Sequence, residues 1–170
     1  MCPARVGKRL PTTTRERAFS TMKRVYVKEE LCIGCGLCKV YCQVEHSQSK
    51  DIIRAFRREI PRPLPRLHVE RNGEISFPIQ CRHCVEPWCA YSCLTGALHK
   101  DPTSDKVVVD AEKCSGCWTC IIACPYGALS RDINSRTVVK CDLCPGRETP
   151  ACVINCPNEA LILGADERNE

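Results

Sequence analysis

Aromatic side chains are scarce in this 170-residue chain, which contains three phenylalanines, four tyrosines and two tryptophans. A core of ordinary packing would be thin for this length, so something other than side chains is expected to occupy part of the interior. Long apolar runs are missing as well, because stretches such as Val107 to Val109 have only the length of a strand. The sequence thus predicts a soluble protein without direct membrane insertion.

Signals for export and for nucleotide binding are also absent. Residues 1–20 contain no apolar stretch of the kind that an export signal needs, so a reducing, cytoplasmic location is expected. No glycine-rich phosphate-binding loop occurs, which argues against a bound nicotinamide or flavin. These absences disfavour secreted disulfide-rich proteins and nucleotide-dependent enzymes.

Cysteine, by contrast, accounts for seventeen residues, a tenth of the chain. Sixteen of them form four quartets with the spacings x2-x2-x3, x2-x4-x3, x2-x2-x3 and x2-x7-x3. Only Cys2 is left over, and we interpret it as a free thiol. Because the first and last gaps never change, the quartets are repeats of one unit. They consist of Cys32, Cys35, Cys38 and Cys42; Cys81, Cys84, Cys89 and Cys93; Cys114, Cys117, Cys120 and Cys124; and Cys141, Cys144, Cys152 and Cys156.

Each quartet follows a strand-like stretch, at residues 25–27, 74–77, 107–109 and 137–139. Turn residues between apolar runs predict two hairpins, at 98–107 and 129–138. One long interruption separates the first two quartets. In it, residues 49–59 can form a few helical turns, whereas the three prolines of residues 61–65 must be extended because proline lacks the amide hydrogen of a helix.

The spacing of the quartets is typical of iron–sulfur ligation. Three cysteines at Cys-x2-Cys-x2-Cys spacing converge on three corners of a cubane, while the fourth lies on a departing helix and reaches another cluster. Zinc favours two cysteine pairs separated by a dozen or more residues, and a disulfide framework does not need this cadence. The Cys-x3-Cys-x2-Cys triplet that leaves one iron open in radical enzymes does not occur. The quartets therefore predict 4Fe-4S clusters that carry electrons without binding substrate.

Histidine and tryptophan add few candidates for chemistry. The four histidines are scattered, at His46, His68, His83 and His99. We interpret them as surface or packing residues, although His83 lies inside the second cysteine loop, where a hydrogen bond to sulfur would tune a cluster. Trp88 and Trp118 also lie in cysteine loops and are expected to shield clusters from water.

Several short motifs accompany the quartets: LCIGCGLC at residues 31–38, EHS at 45–47, RPLPR at 62–66, QCRHC at 80–84 and KCDLCPGR at 140–147. With them the chain resembles the sixteen-cysteine 4Fe-4S ferredoxin family over roughly residues 22–163. That family includes the iron–sulfur subunits of molybdenum-dependent formate dehydrogenases and dimethyl sulfoxide reductases. Within it, the chain is most similar to the ferredoxin-like electron-transfer subunit of nickel carbon monoxide dehydrogenase.

The resemblance implies an α+β fold of two interlocked bacterial 2x(4Fe-4S) ferredoxin-like modules, with short strands, hairpins and short helices around four cubane clusters. It also implies that the first quartet exchanges its fourth cysteine with the last quartet, and the second with the third. The implied ligand sets are Cys32, Cys35, Cys38 and Cys156; Cys141, Cys144, Cys152 and Cys42; Cys81, Cys84, Cys89 and Cys124; and Cys114, Cys117, Cys120 and Cys93.

The chain is accordingly divided into five parts. These are a disordered basic tail (1–21), the first module (22–42 and 130–163), an inserted Pro/Arg-rich segment (43–73), the second module (74–129) and a polar C-terminal tail (164–170). Seven basic residues lie between Lys50 and Arg71. We expect the inserted segment either to hold Arg62 and Arg66 at a partner interface or merely to cover the clusters.

The implied function is that of an electron-transfer subunit that is not itself an enzyme. Its catalytic partner is expected to be nickel carbon monoxide dehydrogenase, and its acceptor a hydrogenase or a nicotinamide reductase. The alternative is the iron–sulfur subunit of a molybdenum oxidoreductase or of a hydrogenase. A zinc-rich nucleic-acid-binding module is a distant third interpretation, and nucleic acid is not otherwise expected as a partner.

Overall fold

The computed structural model describes residues 22–164. The predicted basic tail at 1–21, with Cys2, lies outside the described residues, as do residues 165–170. The strands are β1 (Arg24–Val27), β2 (Leu67–Asn72), β3 (Ile75–Gln80), β4 (Leu98–Lys100), β5 (Val107–Val109), β6 (Leu129–Asp132), β7 (Thr137–Lys140) and β8 (Leu161–Gly164). The helices are α1 (Leu37–Glu45), α2 (Ile52–Arg57), α3 (Trp88–Tyr91), α4 (Thr119–Ala123) and α5 (Ala151–Ile154), and a 3-10 turn covers Glu29–Leu31.

The strands pair into four separate two-stranded antiparallel ribbons. The hairpins β4–β5 and β6–β7 confirm the two hairpins predicted from the turn residues. The hairpin β2–β3 was not predicted, although Asn72 and Gly73 at its turn are a strong hairpin signal. The remaining ribbon joins β1 to β8, in which Val25 lies opposite Leu163. It therefore ties the beginning of the described chain to its end.

The helices are short, and each follows or lies within a cysteine loop except α2. Helix α2 confirms the predicted turns in residues 49–59, and it begins at a cap in which the Asp51 carboxylate accepts the Arg54 N–H at 2.8 Å. The longest helix, α1, has nine residues. Among residues 22–164 no helix has the length and apolar character that crossing a bilayer requires.

Sulfur replaces aromatic carbon in the interior. Eight of the buried apolar residues are cysteines, whereas no phenylalanine, tyrosine, tryptophan or isoleucine within residues 22–164 is buried. The buried side chains form two clusters, one around Val25 and Leu161 and one around Leu98 and Val107. The hairpin β6–β7 contributes Leu129 and Val138 to the second cluster. Both clusters are built around thiols, in agreement with the thin core expected from the composition.

Candidate iron–sulfur centre

The four cysteine loops turn in the same way. In each loop the residue before the second cysteine has a positive φ. Glycine adopts this conformation most easily, because it has no Cβ. These residues are Gly34 (64°), His83 (45°), Gly116 (66°) and Leu143 (64°). At Gly116 the backbone also packs closely, since a Cβ there would lie 2.7 Å from the Arg136 carbonyl oxygen. The shared turn supports the interpretation of the quartets as repeats of one structural unit.

The first group of thiols, site A, comprises Cys32, Cys35, Cys38 and Cys156. The first three come from the loop before α1 and from its first turn, and Cys156 comes from the segment after α5. Burial, together with the charges of the other three thiols, raises the pKa of the Cys38 thiol to about 11. All four also line one cavity.

Site D, the second such group, comprises Cys114, Cys117, Cys120 and Cys93. Burial raises the pKa of the Cys120 thiol to about 11, and the other three thiols act in the same direction. All four again line one cavity. Trp118 lies beside them on the cavity wall, whereas Trp88 is 60% exposed and stacks edge-on against Tyr91.

The other two groups are more deeply placed. Site B comprises Cys141, Cys144, Cys152 and Cys42, and burial together with the other three thiols raises the pKa of Cys152. Site C comprises Cys81, Cys84, Cys89 and Cys124, and the same two causes raise the pKa of Cys89 to about 12. The structure thus brings the sixteen predicted cysteines together as four groups of four, each drawn from two distant segments.

Thiols of different sites also lie near one another, which links A to B, B to C and C to D. Cys38 of site A contributes to the electrostatic environment of Cys152 in site B. Cys81 of site C does the same for Cys141 in site B. Cys89 of site C and Cys120 of site D share one core cluster. Cys35 and Cys117 are the two exposed cysteines of the described chain, so the accessible thiols lie in the two terminal sites.

A charged network surrounds Cys42 of site B. The Arg66 backbone N–H donates to Cys42 Sγ at 3.2 Å, and the Arg66 guanidinium pairs with the Asp142 carboxylate. His46 lies with Nε2 3.1 Å from Asp142 Oδ1 and Nδ1 2.7 Å from the Cys42 carbonyl oxygen. Burial lowers the pKa of His46, but the hydrogen bonds to Asp142 and to Cys42 together outweigh it and raise the pKa to about 9. His46 and Arg66 therefore place positive charge beside a thiol of site B.

A buried cation also lies between sites B and C. Lys140 is 4% exposed, and its ammonium group donates to the Cys141 carbonyl oxygen at 2.9 Å. Its charge lowers the pKa of Cys89, against the effects of burial and of the neighbouring thiols. No ion pair joins Lys140 to a carboxylate within residues 22–164. Since a buried charge is costly without a counter-charge, Lys140 fits an anionic group in these sites.

His83 provides a second indication of such a group. It is 1% exposed, and its Nδ1 accepts the backbone N–H of Val107 at 3.1 Å. Burial lowers the pKa of His83 to about 3, so the imidazole is neutral and Nε2 carries its hydrogen. Nε2 is buried, and it has no hydrogen-bond partner among residues 22–164. An orphaned donor between Cys81 and Cys84 suits a sulfur acceptor in site C.

The donor chemistry agrees with these indications. Each site offers four thiols and leaves no carboxylate or imidazole in the set, which matches cysteine ligation of a 4Fe-4S cluster. A separate grouping of His46, Asp142 and Cys144 has ligand atoms within 4.8 Å of one another. Because Cys144 also belongs to site B, this grouping is part of that site. The sequence did not predict that Arg66, Asp142 and Lys140 lie at these sites. No local pattern places these residues near a cysteine from a distant segment.

Comparison with known proteins supports an iron–sulfur function. A family model described as a 4Fe-4S dicluster domain matches residues 74–166. The electron transport protein HydN of Escherichia coli (strain K12) is 38% identical over 149 residues, which cover 77% of this chain and 81% of HydN. The putative oxidoreductase AegA of the same organism is 34% identical over 84% of this chain. The beta subunit of NADH-dependent phenylglyoxylate dehydrogenase from Aromatoleum evansii is 36% identical over 91% of this chain.

The matches differ in how much of each relative they cover. The chain spans 22% of the length of AegA and 32% of that dehydrogenase subunit, so both relatives extend well beyond the similar region. HydN is matched over most of its length, and the family model covers more than half of this chain. The chain belongs to the 4Fe-4S dicluster domain family.

Proposed function

We propose that the chain relays electrons through four 4Fe-4S clusters, one in each of sites A to D, between a catalytic redox subunit and an acceptor protein. The observation that carries this proposal is the grouping of sixteen thiols into four sets of four. When bound, each cluster supplies one-electron redox chemistry with no iron left open to substrate. The thiols hold the clusters, the Arg66 backbone N–H donates to Cys42 Sγ, and the unpartnered His83 Nε2–H would donate to a sulfur of the cluster in site C.

The chain is a non-catalytic electron-transfer protein, as its family and its named relatives indicate. Its row of sites suggests where electrons enter and leave. Sites A and D contain the exposed Cys35 and Cys117, whereas the thiols of site B are mostly buried. Partners therefore dock near the terminal sites, and B and C connect them.

The proposed catalytic partner is a nickel carbon monoxide dehydrogenase, with a hydrogenase or a nicotinamide reductase as acceptor. Support for this partner comes from the sequence motifs of the cysteine loops. A molybdenum oxidoreductase or a hydrogenase is the alternative partner, since the module also occurs within longer proteins such as AegA, named a putative oxidoreductase. Capture of the tagged chain from cells grown under carbon monoxide, followed by mass spectrometry, distinguishes these partners by the catalytic subunit that is retained.

Metal analysis tests the cluster content directly. Protein purified without oxygen should contain about sixteen iron and about sixteen labile sulfide per chain, because each of four closed sites holds a cubane. It should be brown and should bleach with dithionite. Several zinc atoms per chain with little sulfide would reject the proposal in favour of a zinc module, and about eight iron would reduce the number of clusters to two.

Replacement of His83 tests its role beside site C. We expect His83→Leu to lower the potential of one cluster by roughly 60 mV, since a hydrogen bond to a charged acceptor contributes about 1.5–3 kcal/mol and 60 mV corresponds to a tenfold change for one electron. Potentiometric titration followed by EPR measures this shift.

The controls for His83 are a second histidine and a conservative variant. His99→Leu removes an exposed histidine on β4 and should leave all four potentials unchanged. His83→Gln retains an N–H donor and should shift the potential less than His83→Leu. Four unchanged potentials in His83→Leu protein with full iron content would show that Nε2 does not donate to the cluster.

A further inference from the structure

Residues 51–62 form a mostly exposed segment, the basic lobe, between α1 and β2. We propose that the basic lobe is the docking surface for an acidic, partly apolar face of a redox partner protein. This docking proposal rests on the proposed function and extends it, because it names the surface through which electrons are exchanged.

The lobe presents positive charge that no carboxylate of residues 22–164 neutralises. Its four arginines are exposed: Arg54, Arg57, Arg58 and Arg62. None of them forms an ion pair with a carboxylate among residues 22–164. The two acidic groups of the lobe act internally, since Asp51 caps α2 and the Glu59 carboxylate accepts the Ser49 N–H at 2.9 Å. The guanidinium groups are therefore free to bind an external carboxylate.

Three neighbouring basic residues are not part of this surface. Arg66 pairs with Asp142, Arg71 donates to the Gly34 carbonyl oxygen, and Lys50 lies 2.9 Å from Glu45. The expectation that Arg66 contacts a partner is therefore not supported by its position, because its guanidinium is already used to hold the segment beside site B. The docking charge is concentrated on the four arginines of the lobe.

Apolar side chains lie among the arginines. Ile52, Ile53 and Ile60 are 45%, 63% and 94% exposed. Exposed isoleucines beside arginines resemble a protein interface, where an apolar centre is combined with charged residues that steer association. Helix α2 has only six residues, which is short for an amphipathic helix that lies on a membrane.

The lobe is held in place before any partner binds. Ala55 in the middle of α2 is completely buried, and the Gln43 side chain donates to the Pro63 carbonyl oxygen at 2.9 Å. Ser49 Oγ donates to the Glu59 carboxylate at 2.5 Å. A surface fixed in this way loses little conformational entropy on binding. Helix α2 of the lobe also packs against α1, which carries Cys38 of site A and Cys42 of site B.

Charge complementarity identifies the partner as acidic. Outside the lobe, residues 22–164 contain fifteen lysines and arginines and fourteen aspartates and glutamates. Four oxidised clusters of about −2 each would bring this remainder to about −7. An acidic partner is then repelled by most of the surface and attracted at the lobe, which orients it toward sites A and B.

Stopped-flow electron transfer to and from the holoprotein tests the lobe, with two probes of opposite charge. Reduced flavodoxin serves as the acidic probe that donates electrons, and oxidised cytochrome c as the basic probe that accepts them from the reduced holoprotein. The quadruple variant R54Q/R57Q/R58Q/R62Q should be reduced by flavodoxin about tenfold more slowly at low ionic strength, with a flatter salt dependence. The matched control K23Q/K28Q/R131Q/R136Q removes the same charge from exposed positions elsewhere and should retain most of the parent rate. Oxidation of the reduced holoprotein by cytochrome c should not slow in either variant.

The isoleucines are tested separately. I52S/I53S/I60S should slow reduction by flavodoxin while leaving its salt dependence unchanged, because the apolar contact is not screened. Iron and sulfide are measured in every variant, so a failure of the cluster assignment is seen as a low iron content rather than as an unchanged rate. If flavodoxin reduced the lobe variant and its matched control equally slowly, the lobe would not be the docking surface. Arginine-dependent binding to phosphatidylserine vesicles, with unchanged rates to flavodoxin, would assign the lobe to a membrane instead.

Discussion

Replacing Cys156 by alanine will damage the cluster of site A and leave that of site B intact. Cys156 follows three cysteines of the last quartet in sequence, yet its thiol lies with Cys32, Cys35 and Cys38 around one cavity. Loss of one of four thiolates removes the cluster or leaves it with three irons, so iron should fall by up to about four atoms per chain. EPR of the reduced protein identifies the lost signal.

Two reference variants make this result unambiguous. Cys35→Ala removes a ligand of site A within the first quartet, and Cys144→Ala removes a ligand of site B within the last. The spectrum of Cys156→Ala should match that of Cys35→Ala, and the spectrum of Cys42→Ala should match that of Cys144→Ala. If Cys156→Ala instead matched Cys144→Ala, and Cys42→Ala matched Cys35→Ala, each quartet would bind its own cluster and no ligand would be exchanged.

Removal of iron should abolish cooperative folding. Eight cysteines are among the buried apolar residues, so the interior around the sites consists largely of thiols that bound clusters would hold in place. Metal binding can supply about 10 kcal/mol or more of folding free energy, comparable with the roughly 5–15 kcal/mol that stabilises a typical domain. The apoprotein should therefore lose the ribbons and helices that surround the sites.

The measurement compares holoprotein and apoprotein by circular dichroism and thermal unfolding. Iron is removed by a chelator without oxygen and with the thiols kept reduced, so that disulfides do not confuse the result. Addition of ferrous iron and sulfide should restore both the spectrum and the cooperative transition. An apoprotein that keeps the holoprotein spectrum and unfolds cooperatively would place the stability in the side-chain core rather than in the clusters.

Local patterns in the sequence predicted two of the hairpins and the cysteine loops because their spacing follows from turn and ligand geometry over a few residues. Gly34 and Gly116 satisfy the positive φ of their loops. His83 and Leu143 occupy that position without being glycine, so the turn at these loops was visible only in the structure. Non-glycine residues in this conformation cost about 1–3 kcal/mol and are typical of functional sites.

Contacts between distant segments could not be predicted. Arg66 reaches Cys42 and Asp142, and β1 pairs with β8, yet no periodicity in either segment names its partner. The grouping of thiols from opposite ends of the chain was implied by resemblance alone, because cysteine spacing does not say which distant loop a fourth cysteine reaches. The division into modules stays a prediction, and Leu129 and Val138 on either side of the predicted boundary pack in one core cluster.

The grouping of thiols from both ends of the chain in sites A and B has a consequence for biosynthesis. The thiols proposed for sites C and D all lie between Cys81 and Cys124, so both sites can be filled before the rest of the chain has left the ribosome. Site A lacks Cys156 until synthesis is nearly complete. Site B likewise lacks Cys141, Cys144 and Cys152 until then. The cysteines of the first quartet are thus synthesised before the other three quartets, but the clusters that they bind are completed last. During that interval they depend on whatever delivers iron and sulfide to the nascent protein, and on protection from oxygen.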